Sequence, residues 1–132
     1  MLKPAAMALL FALPNCAGDE TISGYADSTA TYVLADIDGV PFAPHATIRF
    51  PEEGRIEGQA PCNAYSAAQT VPYPWFGPGP VMATRRACPD LQAETEYFTA
   101  LAEMTLAEVQ GDILILSNEA GRAMTFRRMA EG

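Results

Sequence analysis

The sequence predicts one mainly β domain of the α+β class: an antiparallel, partly closed, barrel-like sheet of about seven or eight strands with one packed helix. Three observations carry that expectation. Short apolar/polar alternations recur between turn signals along the chain, and only the stretch after Pro89 shows convincing helical spacing. No regular alternation of strand and helix exists to make a parallel sheet. At 132 residues there is room for one domain, and an apolar fraction of 49% can bury a real core.

Met1 to Leu13 carries Lys3 and then the apolar run PAAMALLFAL, too short to cross a bilayer as a helix, so residues 1–15 read as a signal peptide. The run ends in Leu13-Pro14-Asn15-Cys16, which is similar to a bacterial lipobox and makes Cys16 the expected lipid attachment site. Residues 16–30 are small and polar without periodicity, which suits a flexible tether, and the folded domain is expected over 31–129. This reading places the chain in the bacterial cell envelope, lipid-anchored to the outer membrane and facing the periplasm. An ordinary secretory signal with an unmodified Cys16 is the alternative, and it also exports the chain.

Thr31 to Ile37 is rich in β-formers and ends at the turn signal Asp38-Gly39. Ala46 to Phe50 alternates with Ile48 and Phe50 on one face, Pro51 to Gly54 turns, and Arg55-Ile56-Glu57 resumes the alternation as the second arm of a hairpin. Gly58 to Cys62 is expected to break that strand, with Asn63 suited to a turn before Tyr65.

Val71 to Pro80 reads VPYPWFGPGP, and its four prolines exclude it from a central strand. Its aromatics Tyr73, Trp75 and Phe76 are candidate contacts for a ligand or partner, against the plainer reading that they fold back over the end of the barrel. Val81 to Thr84 can regain strand form. Pro89 or Asp90 opens the helix, with Asp90, Glu94 and Glu96 near the positive end of its dipole. Leu91, Tyr97, Phe98, Leu101 and Met104 fall on one side and are expected in the core. After Thr105, the segments LAEVQ, ILILS and RAMTFRR, separated by Gly111-Asp112 and Asn118 to Gly121, read as a meander. Ile113 to Leu116 is apolar on both faces, as a strand in the middle of a covered sheet would be.

Charge and cysteines bound the function. Sixteen Asp and Glu against eight Lys and Arg give a net charge of −8, which argues against nucleic acid and against a polybasic membrane contact. Lipidation of Cys16 leaves Cys62 and Cys88 as a pair in an oxidising compartment, where a disulfide is the expected state. On the loop-closure model that bridge stabilises the fold by about 3.5 kcal/mol. Zinc needs four ligands, usually with local cysteine pairs, whereas these cysteines lie far apart and His45 is the only histidine; no metal or cofactor is expected. A thiol nucleophile needs a base, and His45, between Pro44 and Ala46, reads as a solvated loop histidine. A redox pair is disfavoured because CxxC spacing is missing.

Phe50, Gly58 and Cys62-Asn63-Ala64-Tyr65-Ser66 are followed by Thr84-Arg85-Arg86-Ala87-Cys88-Pro89, then by Glu94, Tyr97-Phe98 and Leu101. Gly111-Asp112 with Leu114 and Leu116, and Gly121 with Phe126, complete a series that resembles the META domain family, that of the bacterial heat-shock lipoprotein HslJ, over residues 31–129. Pro61 and Ala67 stand where that family commonly has glycine, and Ala64 where a basic residue is frequent. The resemblance implies a small β-rich domain with Gly58, Asn63, Tyr65, Thr84 and Arg85 as structural motif residues. It also implies an envelope location, a link to stress or drug tolerance in some members, and no enzyme activity. The expected function is therefore a non-enzymatic envelope lipoprotein that supports stress tolerance by binding an envelope protein or a small apolar ligand. The alternative is a thiol-dependent enzyme or redox protein using Cys62 and Cys88.

Overall fold

The computed structural model describes residues 18–130, so the expected signal peptide and Cys16 lie outside the described residues. Among the described residues nine strands make one sheet: β1 (Tyr32–Ile37), β2 (Val40–Pro41), β3 (Thr47–Glu52), β4 (Arg55–Gln59), β5 (Ala64–Ala68), β6 (Met82–Ala83), β7 (Leu106–Gln110), β8 (Ile113–Ser117) and β9 (Ala123–Arg128). Among the described residues a single α-helix, α1 (Leu91–Glu103), lies between β6 and β7 in the chain. The strands follow the order β6-β5-β4-β3-β1-β9-β8-β7, all pairs antiparallel, with β2 hung on β1. The mainly β architecture with one helix is the expected one. The sheet is open, with β6 at one end and β7 at the other.

Alternation sets the core. Tyr32 and Leu34, Ile48 and Phe50, Ile56, Tyr65 and Ala67, Leu114 and Leu116, and Met124 and Phe126 all turn inward and are buried. In β1 the pairing with β9 shifts between Leu34 and Asp36, so the bulge keeps Asp36 out and returns Ile37 to the core. Asp38 and Gly39 both have positive φ, 54° and 78°, as the tight turn between β1 and β2 requires.

Two expectations need correction. The helix buries Glu94, Tyr97, Ala100 and Leu101, with Met104 buried just beyond its end, whereas Leu91 is 46% exposed. Leu91 sits in the first turn, with its N–H bonded back to Cys88, and the inward position one turn later belongs to Glu94. The described part of the expected tether is docked: Ile22, in a 3-10 turn at Ile22–Gly24, is 1% exposed and joins the core with Ala30. One fully buried isoleucine contributes about 1.5–3 kcal/mol, enough to hold a short polar segment on the domain. The backbone N–H of Tyr73 donates to Glu20 O at 2.8 Å and adds to that hold.

Candidate functional site

The segment between the two cysteines is closed at its ends by a buried polar junction. The chain leaves β4 and turns at Cys62-Asn63, presenting two adjacent backbone N–H groups that a β ladder does not use. Glu94 supplies the acceptor from the helix. Its Oε1 receives the N–H groups of Cys62 at 3.0 Å and Asn63 at 2.8 Å, and its Oε2 receives Asn63 Nδ2 at 2.7 Å. Asn63 in turn takes Arg86 N at 2.6 Å and the Thr84 hydroxyl at 2.9 Å on its Oδ1. Cys62 and Cys88 form a disulfide with Cα atoms 5.6 Å apart, so the turn after β4 is tied to the helix start twice, covalently and through Glu94. Glu94 lies in the first turn of the helix, as the sequence predicts, and is also the centre of this junction.

Gly58 and the two tyrosines complete the motif. The strand runs through Gly58 to Gln59, later than its expected break, because glycine lets β4 lie against β3: a Cβ there would stand 2.1 Å from Thr47 O and 2.9 Å from the Tyr65 hydroxyl. The Tyr65 hydroxyl donates to Thr47 O at 2.7 Å and lies 2.6 Å from the Tyr97 hydroxyl. Burial pushes both phenols well above their ordinary range, so both stay protonated and act as structural donors. Of the family-motif residues, Gly58, Asn63, Tyr65 and Thr84 are thus brought together, while Arg85 stands exposed beside them.

The aromatic loop divides. Phe76 is 2% exposed and belongs to the core. Tyr73 is half-buried, stacks on Tyr25 with centroids 4.4 Å apart, and its hydroxyl accepts Val109 N–H at 3.0 Å. Trp75 is 55% exposed. The backbone between them pairs with the β7 end of the sheet: Ala107 N–H donates to Pro74 O at 2.7 Å, Phe76 N–H to Thr105 O at 2.9 Å, and Trp75 bridges Leu106. The prolines therefore build an edge cover that does not extend into a strand.

A cleft of about 690 Å³ that sequence reading did not find lies on the outer face of β3, β4, β5 and β6. Register assembles it. Arg49 pairs with Glu57, Glu57 with Ser66 and Ser66 with Met82 in one cross-strand row, and Gln59 and Ala64 form the next row with Thr84. Glu57 lies 3.3 Å from Arg49 and 3.2 Å from Arg55, and the exposed His45, Met82 and Met129 also line the space. Among the described residues no group of three His, Cys, Asp or Glu side chains is placed to hold a metal. The lining offers guanidinium donors, hydroxyls and exposed methionine, a mixture suited to recognising another chain.

A family model for the META domain matches residues 26–131, beginning inside the stretch read as tether. Among solved structures, an NMR structure of a protein from Burkholderia xenovorans is similar at 23% identity and a TM-score of 0.63, covering 77% of this chain and 83% of that one. A crystal structure of a DUF4847 family protein from Bacteroides vulgatus is similar at 11% identity and a TM-score of 0.67, covering 84% and 99%. These likenesses show the fold. No curated protein matches the sequence. The matched span takes in every strand and the helix, and the chain belongs to the META domain family.

Proposed function

We propose that this META domain protein is a non-enzymatic, lipid-anchored protein of the bacterial cell envelope, attached through Cys16 and facing the periplasm from the outer membrane. Its role is to support stress tolerance by binding an envelope protein. The observation that carries the binding role is the outer-face cleft, about 690 Å³ of mixed charged and apolar lining on four paired strands. The core side of the sheet offers a ligand less, because Tyr32, Phe50, Tyr97 and Phe126 are fully buried there against one another and their neighbours. A small apolar ligand would meet apolar surface outside the core, where Trp75 is 55% exposed. The disulfide between Cys62 and Cys88 supports binding over thiol chemistry, since a bridged sulfur is not a nucleophile.

A photo-crosslinking side chain placed at Ser66, in the cleft, and at Glu119, in the exposed turn between β8 and β9, tests the reading in cells. A discrete adduct from position 66 and none from 119 is expected. Equal adducts, or none from 66, overturn the cleft as the binding site. Replacing Cys16→Ser should release the chain from the membrane fraction, and unchanged fractionation with unchanged processing would remove the anchor.

A further inference from the structure

We infer that the β6 side of the cleft receives an extended, acidic segment of a partner protein, which adds as a short strand to the free edge of β6 and sets its carboxylates against Arg85 and Arg86. This rests on the cleft being the binding site, as proposed above.

The two ends of the sheet differ in what they leave open. The β7 end is occupied by the backbone of Pro74 to Phe76. At the β6 end, Thr84 N–H donates to Ala64 O at 3.1 Å, which makes Ala64 and Thr84 a hydrogen-bonded pair. Antiparallel alternation then turns the peptide groups of Ala83, paired with Tyr65, away from β5 and toward solvent. Met82 through Ala87 are all exposed. Pro78 and Pro80 limit the edge upstream, and the Arg86 N–H is taken by Asn63 downstream, so only a short strand fits. Few backbone hydrogen bonds are available in so short a pairing, and side chains must supply the rest of the affinity.

Those side chains have a definite sign. On a chain of net charge −8, the cleft is lined by Arg49, Arg55 and His45 with a single carboxylate, Glu57, shared by the two arginines. Arg85 and Arg86 continue the basic run along the edge, and among the described residues neither enters an ion pair. Carboxylates on an incoming strand meet bidentate donors there. A second copy pairing through the same edge, Met82 to Ala87, would bring arginines and no carboxylate, so it gives these side chains no ion-pair partner. Met82, 70% exposed, offers an adaptable apolar contact, so a segment alternating acidic and apolar residues fits best.

The test uses the full chain and a fluorescent peptide of about ten residues alternating glutamate and valine, read by anisotropy, with a lysine–valine peptide as control. The acidic peptide should bind and the basic one should not. Arg85→Glu with Arg86→Glu should weaken binding by about tenfold or more. N-methylation of alternate peptide amides should abolish binding while leaving the protein untouched. Equal binding of both peptides overturns the inference. Binding that survives N-methylation overturns the strand addition, and binding to phosphatidylglycerol vesicles without peptide binding identifies an anionic membrane surface instead. Failure of every probe while the adduct from position 66 persists overturns this inference alone; loss of that adduct overturns the binding reading as well.

Discussion

Glu94 and Glu57 each gather partners from other parts of the chain, yet they belong to regions of opposite character. Glu94 is 5% exposed and receives three N–H donors from the Cys62-Asn63 turn. Glu57, its side chain 29% exposed, lies between two half-exposed arginines that water can serve equally well. A buried carboxylate that serves as acceptor for two adjacent backbone N–H groups determines whether the turn folds; an exposed ion pair contributes little. The junction is therefore where a single carboxylate bears on stability, and the cleft is a surface whose exposed ion pairs bear on it little.

The strongest way to break that contrast is Glu94→Ala. It strands two backbone N–H groups and one of the two Asn63 amide hydrogens, the amide keeping its bond to Arg86 O, and should destabilise the domain by about 4 kcal/mol in a thermal or denaturant melt. A loss below about 1 kcal/mol would mean that water reaches the turn and that the two carboxylates are alike. Cys62→Ser with Cys88→Ser comes next, at about 3.5 kcal/mol. A denaturant midpoint unmoved by reductant would leave Glu94 alone holding the junction.

Alkaline pH sharpens the picture from the tyrosine side. Burial raises the pKa of Tyr65 and Tyr97 above the ordinary 10.0, so the unfolded chain ionises first as pH rises. Their contribution to stability is intact below pH 10.0 and falls progressively above it. Denaturation midpoints across that range, compared with Tyr65→Phe, should show a shallower decline in the variant. At the weak end, Glu57→Gln should change stability by no more than about 0.5 kcal/mol, and a larger loss would show the cleft ion pairs to be structural.

The sequence made the elements legible because burial follows period two in the strands and helical spacing in α1. The meander after Thr105 and the turn at Asp38-Gly39 were readable from local residue types alone. Glu94 does lie in the first turn of the helix, but its role in the junction is not legible because its partners lie about thirty residues away; the available signal is a turn with adjacent amides in need of an acceptor. Periodicity puts Leu91 on the core face, but it does not tell that the first turn of the helix leaves this side chain exposed. Ile22 gives no signal within its polar stretch because one apolar residue has no period. The cleft was invisible for a different reason: Arg49, Glu57, Ser66 and Met82 become neighbours only when the register of four strands is known. The aromatic loop was located correctly as an edge or loop, but backbone pairing with β7 decided which ring went in and which stayed out.

The position of β1 has a consequence for the order in which the molecule can be completed. It pairs with β3 on one side and with β9 on the other, where Leu34 meets Phe126. A polypeptide emerging N-terminus first forms the β3–β4–β5 meander early but holds one flank of β1 unsatisfied until its last strand arrives. Such long-range closure makes folding slow relative to a helical protein of this size. During that interval the vacant flank of β1 and the unfinished β7–β8 hairpin are the places where a waiting chain is most exposed to aggregation.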